Sequence, residues 1–472
     1  DAIGCFERAL ALQPHSGNAL RLLTYLAKQI CDWSAFADLD RRIVEAVRRD
    51  TAGITPFTVV VGPSTSADQL RAARTHLRGM KIDKLSPIYR GEPRRHERIR
   101  LGYLSADFHD HATSYLMAGL FERHDREKFE LFAYSFGPDQ RDSSRARLRK
   151  AFDRFFDLRP MRDAEAARLL AEHEIDIAVD LKGYTGGARP AILARRPAPI
   201  QVNYLGYPAT MGAHFIDYVV ADPIGVPIDE QPYFTERIVH LPNCYQANDR
   251  ERRIAERTPT RVACGLPERG FVFASFNSGL KLTPVFFDIW MRLLKAVPES
   301  VLWLLRDNPW AEANLRKEAE ARGVSAGRLV FAPRAPLAEH LARQRCADLF
   351  LDTLPCNAHT TASDALWVGL PVLTCVGGTF AGRVAASLLN AVGLPELVTR
   401  SLEEYEAIAF GLASDPAHLA GIRAKLARNR LTTPLFDTGL FRRHLEAAYF
   451  EMWRVWQRGE VPRPFAVRDV DG

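Results

Sequence analysis

The sequence predicts an α/β fold with two Rossmann-like domains, preceded by a region that is entirely helical. Three observations lead to this prediction. Short apolar runs alternate with helical stretches over most of the chain, which is the pattern of parallel sheets covered on both faces. A polar, arginine-rich stretch, Asn248 to Arg261, divides these runs into two series. The 472 residues also exceed what a single hydrophobic core usually holds.

Residues 1–81 are predicted to form a helical, tetratricopeptide-repeat-like region. Ala2, Phe6, Ala9 and Leu10 fit the second helix of such a repeat, and helical spacing continues through residues 19–49. A solenoid of this kind needs about three repeats to bury a continuous core, so further repeats are expected ahead of the first residue. The alternative is a single amphipathic helix that caps a globular domain.

Residues 82–97 are rich in proline, glycine and arginine and are predicted to be a linker. The two Rossmann-like domains are expected over residues 98–257 and 258–440, followed by a C-terminal segment, residues 441–472, with a last helix near Phe441–Gln457 that packs back onto them. The strand-like runs of the first domain are Arg100–Ala106, Phe129–Phe136, Ile175–Leu181, Ile200–Leu205 and Tyr218–Ala221. Those of the second domain are Val272–Phe276, Val301–Leu305, Leu329–Ala332, Leu349–Asp352 and Val372–Thr374.

Charge and cysteine usage narrow the classes of partner and compartment. The net charge of +6 is small for this length, and no basic arm with interleaved aromatics is present, so nucleic acid is not a predicted partner. The seven cysteines lack paired CxxC spacing, which is typical of reduced thiols in the cytoplasm. No apolar stretch approaches the roughly 20 residues of a membrane span. These features predict a cytoplasmic protein without a membrane partner.

The segment Pro355–Trp367, PCNAHTTASDALW, carries the strongest functional signal. It follows a strand-like run and is predicted to begin a helix at His359, Thr360 and Thr361. Two threonines at a helix start present hydroxyls and unpaired N–H groups beside the positive end of the helix dipole, which suits a phosphate. One turn further on, the carboxylate of Asp364 could accept hydrogen bonds from a ribose. The alternative is an ordinary capped helix, because threonine is a common N-cap.

Several other motifs accompany this segment in a fixed order: Leu101–Ser114 (LGYLSADFHDHATS), Gly183–Arg189, Arg196–Pro208, Phe276–Lys281, Val301–Arg306, Arg334–His340 and Gly378–Ala385. Together they resemble the catalytic half of the O-linked N-acetylglucosamine transferases, also called the SPINDLY type, from about residue 98 to about residue 453. The short connection between the two halves resembles bacterial members. The resemblance implies a GT-B glycosyltransferase that moves N-acetylglucosamine (GlcNAc) from UDP-GlcNAc to serine or threonine hydroxyls of proteins. It leaves open whether the repeat region mediates protein binding or oligomerisation.

The resemblance also implies a nucleotide-sugar site in the second domain. Its implied members are Ser278, Lys281, Ala335, His340, Arg343, His359, Thr360, Thr361 and Asp364. Several of them follow strand-like runs, and ligands of open α/β sheets bind beyond the carboxyl ends of strands. Lys281 is the implied catalytic residue that meets the diphosphate of the leaving group, whereas a lysine after a strand is otherwise most often a solvated loop residue. The histidine and arginine at 340 and 343 are implied to flank the uridine, with Ala335 offering backbone contacts.

In the first domain, Asp107, His111 and Thr113 follow the first strand-like run and are expected on the acceptor side. An acceptor hydroxyl must lose its proton as it attacks. His111, with an ordinary pKa near 6.5, and Asp107 are both candidates for the catalytic base. The donor's own phosphate is a third candidate, and the sequence leaves the choice open.

Many GT-A glycosyltransferases hold a metal ion with an Asp-x-Asp pair, and two such pairs occur here. Asp38 and Asp40 fall on a helix predicted to face solvent, and Asp469 and Asp471 fall in the polar tail. Neither pair follows a strand, so no metal site and no cofactor are predicted. UDP-GlcNAc would act as a substrate, and catalysis would be metal-independent.

Three positions depart from the pattern of the animal members. Ser278 replaces a glutamine that contacts the donor, Leu337 replaces a lysine near the diphosphate, and Thr55 aligns with a histidine at the junction of the repeats and the catalytic half. These departures bear on donor affinity and sugar identity more than on reaction class. Two alternatives follow: a transferase of the same fold with another acceptor or sugar (asparagine, a glycan or a small molecule), or a degenerate, repeat-based interaction protein.

Overall fold

A computed structural model describes residues 2–469 and divides the chain into two compact units. The six-stranded unit contains the chain up to Ile54, Thr58–Ser64 and Arg252–Phe436. The eight-stranded unit contains Thr55–Phe57, Thr65–Glu251 and the chain from Asp437 onward. The N-terminal helical region is therefore divided: the chain up to Ile54 belongs to the same unit as the second sheet, and the helix after Thr65 belongs to the eight-stranded unit.

Helices and strands alternate along most of the chain after residue 98. The helices are α1 Ala2–Leu12, α2 Gly17–Gln29, α3 Phe36–Arg48, α4 Pro56–Val60, α5 Ser66–Met80, α6 Ala112–Arg123, α7 Ser143–Ala151, α8 Asp163–Glu172, α9 Pro284–Ala296, α10 Pro309–Ala321, α11 Leu337–Gln344, α12 Thr360–Val368, α13 Val384–Ala391, α14 Leu402–Ser414, α15 Pro416–Thr432 and α16 Thr438–Gln457. The strands are β1 Ile99–Ser105, β2 Phe129–Ser135, β3 Arg154–Asp157, β4 Ile177–Asp180, β5 Ile200–Asn203, β6 Tyr218–Ala221, β7 Arg237–His240, β8 Val272–Ser275, β9 Val301–Leu305, β10 Leu329–Ala332, β11 Leu349–Leu351, β12 Val372–Cys375, β13 Val398–Thr399 and β14 Phe465–Ala466.

The eight-stranded unit is built on one parallel sheet with the strand order β14-β7-β6-β5-β4-β1-β2-β3. Its central strands are buried along nearly their whole length, because helices cover both faces of a parallel sheet. Strand β1 pairs with β4 so that Leu104 lies opposite Asp180. The loops that follow β1 and β4 therefore leave the same edge of the sheet side by side.

The six-stranded unit has a second parallel sheet, in the order β10-β9-β8-β11-β12-β13. Strand β8 pairs with β11, with Phe273 opposite Leu349. The segments after these two strands, residues 276–281 and 352–359, consequently meet at the carboxyl edge of the sheet. Functional sites of open α/β sheets lie at such edges.

The first three helices, α1 to α3, pack within the six-stranded unit. Between α2 and α3, Lys28 and Asp40 form a buried ion pair at 2.7 Å. Asp40 is only 6% exposed, so the prediction that this aspartate faces solvent is wrong. A charged side chain is buried here because a lysine from the preceding helix supplies its counter-charge. Asp38, in contrast, is half exposed and pairs with Arg41 on its own helix.

The last helix, α16, packs within the eight-stranded unit. Its Glu446 accepts a hydrogen bond from Nδ1 of the buried His124 at 2.9 Å. The hydroxyl of Tyr449 on the same helix lies 3.2 Å from that of Tyr103 on β1. These buried contacts tie the end of the chain to the first sheet. No helix among residues 2–469 combines the length and the apolarity needed to cross a membrane.

Candidate active site

Lys281 lies where β8 and β11 of the six-stranded unit end. It closes a short 3-10 turn, Gly279–Lys281, that follows β8. Its ammonium donates a hydrogen bond to the backbone oxygen of Asn357, at 2.5 Å, in the loop after β11. The residue is half-buried, and its charge also acts on the neighbouring Asp352 and Cys356. The positive charge is thus fixed just ahead of α12.

Helix α12 begins at Thr360 with His359 as its N-cap, which confirms the helix start predicted from the sequence. The hydroxyl of Thr361 donates to Oδ1 of Asn277 at 2.8 Å, and Nδ2 of Asn277 donates to the hydroxyl of Thr353 at 3.0 Å. The hydroxyl proton of Thr361 is therefore used within the protein. A phosphate at this helix start would meet mainly the backbone N–H groups.

His359 is neutral in this arrangement. Its Nε2–H donates to the backbone oxygen of Ala381 at 3.1 Å, which leaves Nδ1 as the acceptor of the ring. Burial and the nearby Lys281 ammonium lower the pKa of His359 to about 3. The site therefore holds its fixed positive charge on the lysine and not on this histidine.

Buried polar groups hold the loop between β11 and α12. The carboxylate of Asp352 accepts hydrogen bonds from the backbone N–H of Ala358 and from the hydroxyl of Thr374, each at 2.6 Å. Nδ2 of Asn357 donates to the backbone oxygen of Thr353 at 2.9 Å. Burial raises the pKa of Asp352 to about 6. This network fixes the backbone that receives the Lys281 ammonium.

Asp364 makes a contact that the sequence did not suggest. Its carboxylate pairs with the guanidinium of Arg252, and each residue is 5% exposed. Arg252 also donates to the hydroxyl of Ser363 at 3.0 Å, and its backbone oxygen accepts from the indole of Trp367 at 3.1 Å. Burial raises the pKa of Asp364 to about 6, although Arg252 opposes the shift. The ribose contact of Asp364 remains a prediction, and Arg252 is its observed partner.

His340, Arg343 and Phe276 form one cluster at the carboxyl edge. The guanidinium of Arg343 donates to Nδ1 of His340 at 2.8 and 3.1 Å, and the rings of Phe276 and His340 meet edge-on at 5.2 Å. Burial, Arg343 and Arg334 lower the pKa of His340 to about 4. Ala335 lies in the loop after β10 and lines, with Arg343, a cavity of about 380 Å³. These are the residues expected to flank a uridine.

The three departures from the animal pattern lie at separate places. Ser278 precedes the 3-10 turn that ends at Lys281 and is half-buried. Leu337 is the first residue of α11, and it too is half-buried. Thr55 precedes α4 in the eight-stranded unit. None of the three side chains carries a positive charge, so none of them could replace the charge of Lys281.

The predicted acceptor-side residues follow β1 of the eight-stranded unit. Asp107 is 7% exposed and its carboxylate lies 2.6 Å from the ammonium of Lys182, which is 5% exposed. The same carboxylate oxygen lies 3.6 Å from Nδ1 of His111. Lys182 follows β4, the neighbour of β1 in the sheet. The sequence reasoning missed Lys182, although it adjoins the motif at 183–189.

His111 is the N-cap of α6, and its Nδ1 accepts a hydrogen bond from the backbone N–H of Thr113 at 3.2 Å. The neutral ring therefore carries its proton on Nε2. Burial is the largest influence and lowers the pKa of His111, Asp107 raises it, and Lys182 and His109 lower it. The His111 side chain is 43% exposed.

In the first Asp-x-Asp pair, Asp38 and Asp40 each pair with a basic side chain. Over residues 2–469, no group of three or more His, Cys, Asp or Glu side chains is arranged to hold a metal ion. Asp469 accepts a hydrogen bond from Nε2 of His444 at 2.9 Å, and Asp471 lies outside the described residues.

Comparison with known proteins gives a family and several relatives. The model of Glycosyl transferase family 41 matches residues 30–258 and 254–445. A probable UDP-N-acetylglucosamine–peptide N-acetylglucosaminyltransferase of Arabidopsis thaliana, SEC, is 36% identical over 95% of this chain and 48% of the relative. A probable enzyme of the same name and plant, SPINDLY, is 32% identical over 81% of this chain and 43% of the relative. The chain thus spans about half the length of these curated relatives.

Solved structures agree with the two-sheet architecture. A mutant O-GlcNAc transferase of Thermobaculum terrenum superposes with a TM-score of 0.82 and 32% identity, covering 97% of this chain and 88% of that one. Anabaena HepE in complex with UDP and glucose matches with a TM-score of 0.52 and 14% identity, covering 75% of this chain and all of that one, which concerns the fold alone. The predicted α/β fold of GT-B type is confirmed.

Proposed function

This chain belongs to glycosyl transferase family 41, and we propose that it is a protein O-glycosyltransferase that transfers GlcNAc from UDP-GlcNAc to serine or threonine hydroxyls. The observation that carries the proposal is the cluster at the end of β8 and β11. There the Lys281 ammonium is held against the backbone of Asn357, directly before the N-terminus of α12. An ammonium beside a helix start suits a diphosphate.

In the proposed reaction, the acceptor oxygen attacks the anomeric carbon of the sugar and the bond from that carbon to the diphosphate breaks. UDP leaves with the electron pair of that bond, and the acceptor proton passes to a base. Attack from the face opposite the leaving group inverts the anomeric configuration. Lys281 and the backbone donors of α12 stabilise the negative charge that grows on UDP, which is usually the largest contribution to such catalysis.

We assign the acceptor-side chemistry to Asp107 and His111. Asp107 lies in an ion pair with Lys182, and neutral His111 presents a protonated Nε2. The Asp107 carboxylate or the donor phosphate can receive the proton of the acceptor hydroxyl directly. His111, whose Nε2 already carries a proton, can take part only as a relay that releases one proton as it takes up another. The two plant relatives are probable UDP-N-acetylglucosamine–peptide N-acetylglucosaminyltransferases, which supports a polypeptide acceptor.

The proposed compartment is the cytoplasm and the proposed partners are a nucleotide sugar and protein acceptors. All seven cysteines are free thiols, which fits a reducing compartment. Helices α1 to α3, which belong to the six-stranded unit, are proposed to contribute to protein binding. Nucleic acid is not a proposed partner, given the small net charge.

Incubation of the protein with labelled UDP-GlcNAc and a cell lysate tests the function. We expect label in protein bands that is removed by alkaline elimination, which cleaves sugars from serine and threonine. Label in protein that resists elimination would indicate another acceptor atom, and release of UDP without labelled protein would indicate a glycan or small-molecule acceptor. Neither turnover nor UDP binding would indicate a degenerate interaction protein.

We expect catalysis to be independent of divalent metal ions, because the lysine and helix start supply the positive charge that a metal supplies elsewhere. A catalytic metal contributes several kcal/mol, so its removal would slow the reaction by orders of magnitude, whereas excess EDTA should leave the initial rate of transfer here within about twofold of the untreated rate. A manganese-dependent glycosyltransferase assayed in the same buffer serves as the control and should lose its activity. A large loss in this protein that manganese or magnesium restores would contradict the prediction.

A further inference from the structure

Lys182 is a buried ammonium in the eight-stranded unit that no part of the donor chemistry explains. It follows β4 and is 5% exposed. Its backbone is held on both sides: its N–H donates to the carboxylate of Asp180 at 2.8 Å, and its carbonyl accepts from the hydroxyl of Thr185 at 2.7 Å. The loop therefore places this side chain at one position.

One carboxylate oxygen of Asp107 lies near both the Lys182 ammonium and the ring of His111. Oδ2 of Asp107 lies 2.6 Å from Nζ of Lys182 and 3.6 Å from Nδ1 of His111. The groups that act on His111 come from two loops: Asp107 and His109 from the loop after β1, and Lys182 from the loop after β4. The rings of His109 and His111 lie 5.8 Å apart. One carboxylate thus serves two cationic or potentially cationic groups.

A buried ion pair is an expensive way to stabilise a fold, because taking both charges out of water offsets most of their attraction. Well-packed apolar side chains often stabilise the same volume equally well. A buried pair beside a part-exposed histidine at the carboxyl edge of a parallel sheet is, by contrast, the arrangement by which enzymes control protonation states. The position of the pair therefore favours a role in the reaction.

We propose that Lys182 is a positioning residue for the acceptor-side pair: its ammonium anchors the Asp107 carboxylate and keeps His111 in the neutral form that presents Nε2–H. This inference rests on the proposed function, because it assigns Asp107 and His111 to the reaction. Without Lys182, the carboxylate would turn to His111 as its remaining cationic partner. The ring would then be held as an imidazolium, with a proton on Nδ1 as well as on Nε2.

The electrostatic directions support this account. Lys182 and His109 lower the pKa of His111, whereas Asp107 raises it. Removing the charge of Lys182 should therefore raise the pKa of His111, and removing the charge of Asp107 should lower it. A side chain that acted only through packing, and not through its charge, would leave this pKa unchanged.

The test is a titration of His111 by NMR in protein with labelled histidine rings, with the signal assigned by its loss in His111→Gln. Lys182→Gln keeps a hydrogen-bond donor for Asp107 but removes the charge, and it should raise the pKa of His111. Lys182→Arg keeps the charge and should leave that pKa near the wild-type value. Asp107→Asn should lower it. The opposite signs of two variants, with the arginine variant as matched control, separate electrostatics from general loosening.

Turnover is measured on the same variants. General acid–base assistance contributes about 10²–10⁴-fold, so we expect Lys182→Gln to lose roughly 10- to 100-fold in turnover, with Lys182→Arg recovering most of it. A thermal melt of each variant checks folding, and Asp107→Asn gives a second reading should Lys182→Gln unfold. An unchanged or lowered His111 pKa in Lys182→Gln, or turnover equal to wild type, would overturn the inference. Because the titration needs no donor or acceptor, failure of the proposed function appears separately, as a wild-type protein that transfers no GlcNAc.

Discussion

Lys281→Ala is expected to lower turnover by at least about 10²–10³-fold, the cost of removing one preorganised group that meets developing charge. The ammonium is fixed by the backbone oxygen of Asn357 before any substrate binds, so little reorganisation is needed when the diphosphate departs. Charge on UDP is larger in the transition state than in bound UDP-GlcNAc, so affinity for UDP should fall much less than turnover. Calorimetry with UDP beside initial-rate measurements separates the two effects.

Matched variants sharpen this prediction. Lys295→Ala removes an exposed lysine of α9 in the same unit and should leave both quantities unchanged. Thr361→Ala should have a milder effect than Lys281→Ala, because its hydroxyl proton already serves Asn277 and the backbone donors of α12 remain. His111→Ala should lower turnover with UDP affinity near wild type. Near-normal turnover of Lys281→Ala would mean that the nucleotide site is misplaced.

Arg252→Met is expected to lower the free energy of unfolding by about 3–5 kcal/mol, the typical cost of removing one partner of a buried ion pair. The variant leaves the Asp364 carboxylate buried without its guanidinium and removes the hydrogen bond to Ser363. The double variant Arg252→Met with Asp364→Leu removes both charges and should recover a large part of the loss. Arg253→Met, at an exposed neighbouring position, should change stability by less than about 0.5 kcal/mol.

The sign of the pH dependence provides an internal check on this pair. The folded-state pKa of Asp364 is raised to about 6 from its ordinary 3.8, so the folded state binds the proton more tightly than the unfolded state. The stabilisation that comes from this tighter proton binding by Asp364 is fully present below about pH 3.8 and is lost as the pH rises through about 6. Without Arg252, ionising the buried carboxyl of Asp364 costs more free energy. The loss in the free energy of unfolding of Arg252→Met relative to wild type should therefore be smaller near pH 4 than near pH 7.5. Urea titrations at both values measure it, and a larger deficit at the lower pH would contradict the assigned pairing.

The sequence predicted most of the strands but missed four of them. The runs at 218–221, 301–305 and 329–332 match β6, β9 and β10 residue for residue, because short apolar runs between polar segments have few alternatives. Strands β3, β7, β13 and β14 were missed. Strands β13 and β14 have two residues each, and β3 is an edge strand whose residues are at most half-buried, so none of these three has a long apolar run.

Some residues of the candidate site could be predicted from the sequence and others could not. Lys281 and the α12 start were predictable because each follows a strand within one short motif. Arg252, Asn277 and Lys182 were not, because each contributes through a partner 75 or more residues away, and one sequence without relatives holds no signal for such pairs. The prediction that Asp40 faces solvent failed for the same reason, because its counter-charge comes from another helix.

The central claim is that this chain moves GlcNAc from UDP-GlcNAc to protein hydroxyls through the site built around Lys281. The most direct measurement is the intact mass of a serine- and threonine-containing protein acceptor after incubation with UDP-GlcNAc and either the wild-type chain or Lys281→Ala. We predict a mass increase of one N-acetylhexosamine per modified site with the wild type, located on serine or threonine by fragmentation, and almost none with Lys281→Ala. Equal modification by both proteins, or consumption of UDP-GlcNAc without any increase in acceptor mass, would contradict the account.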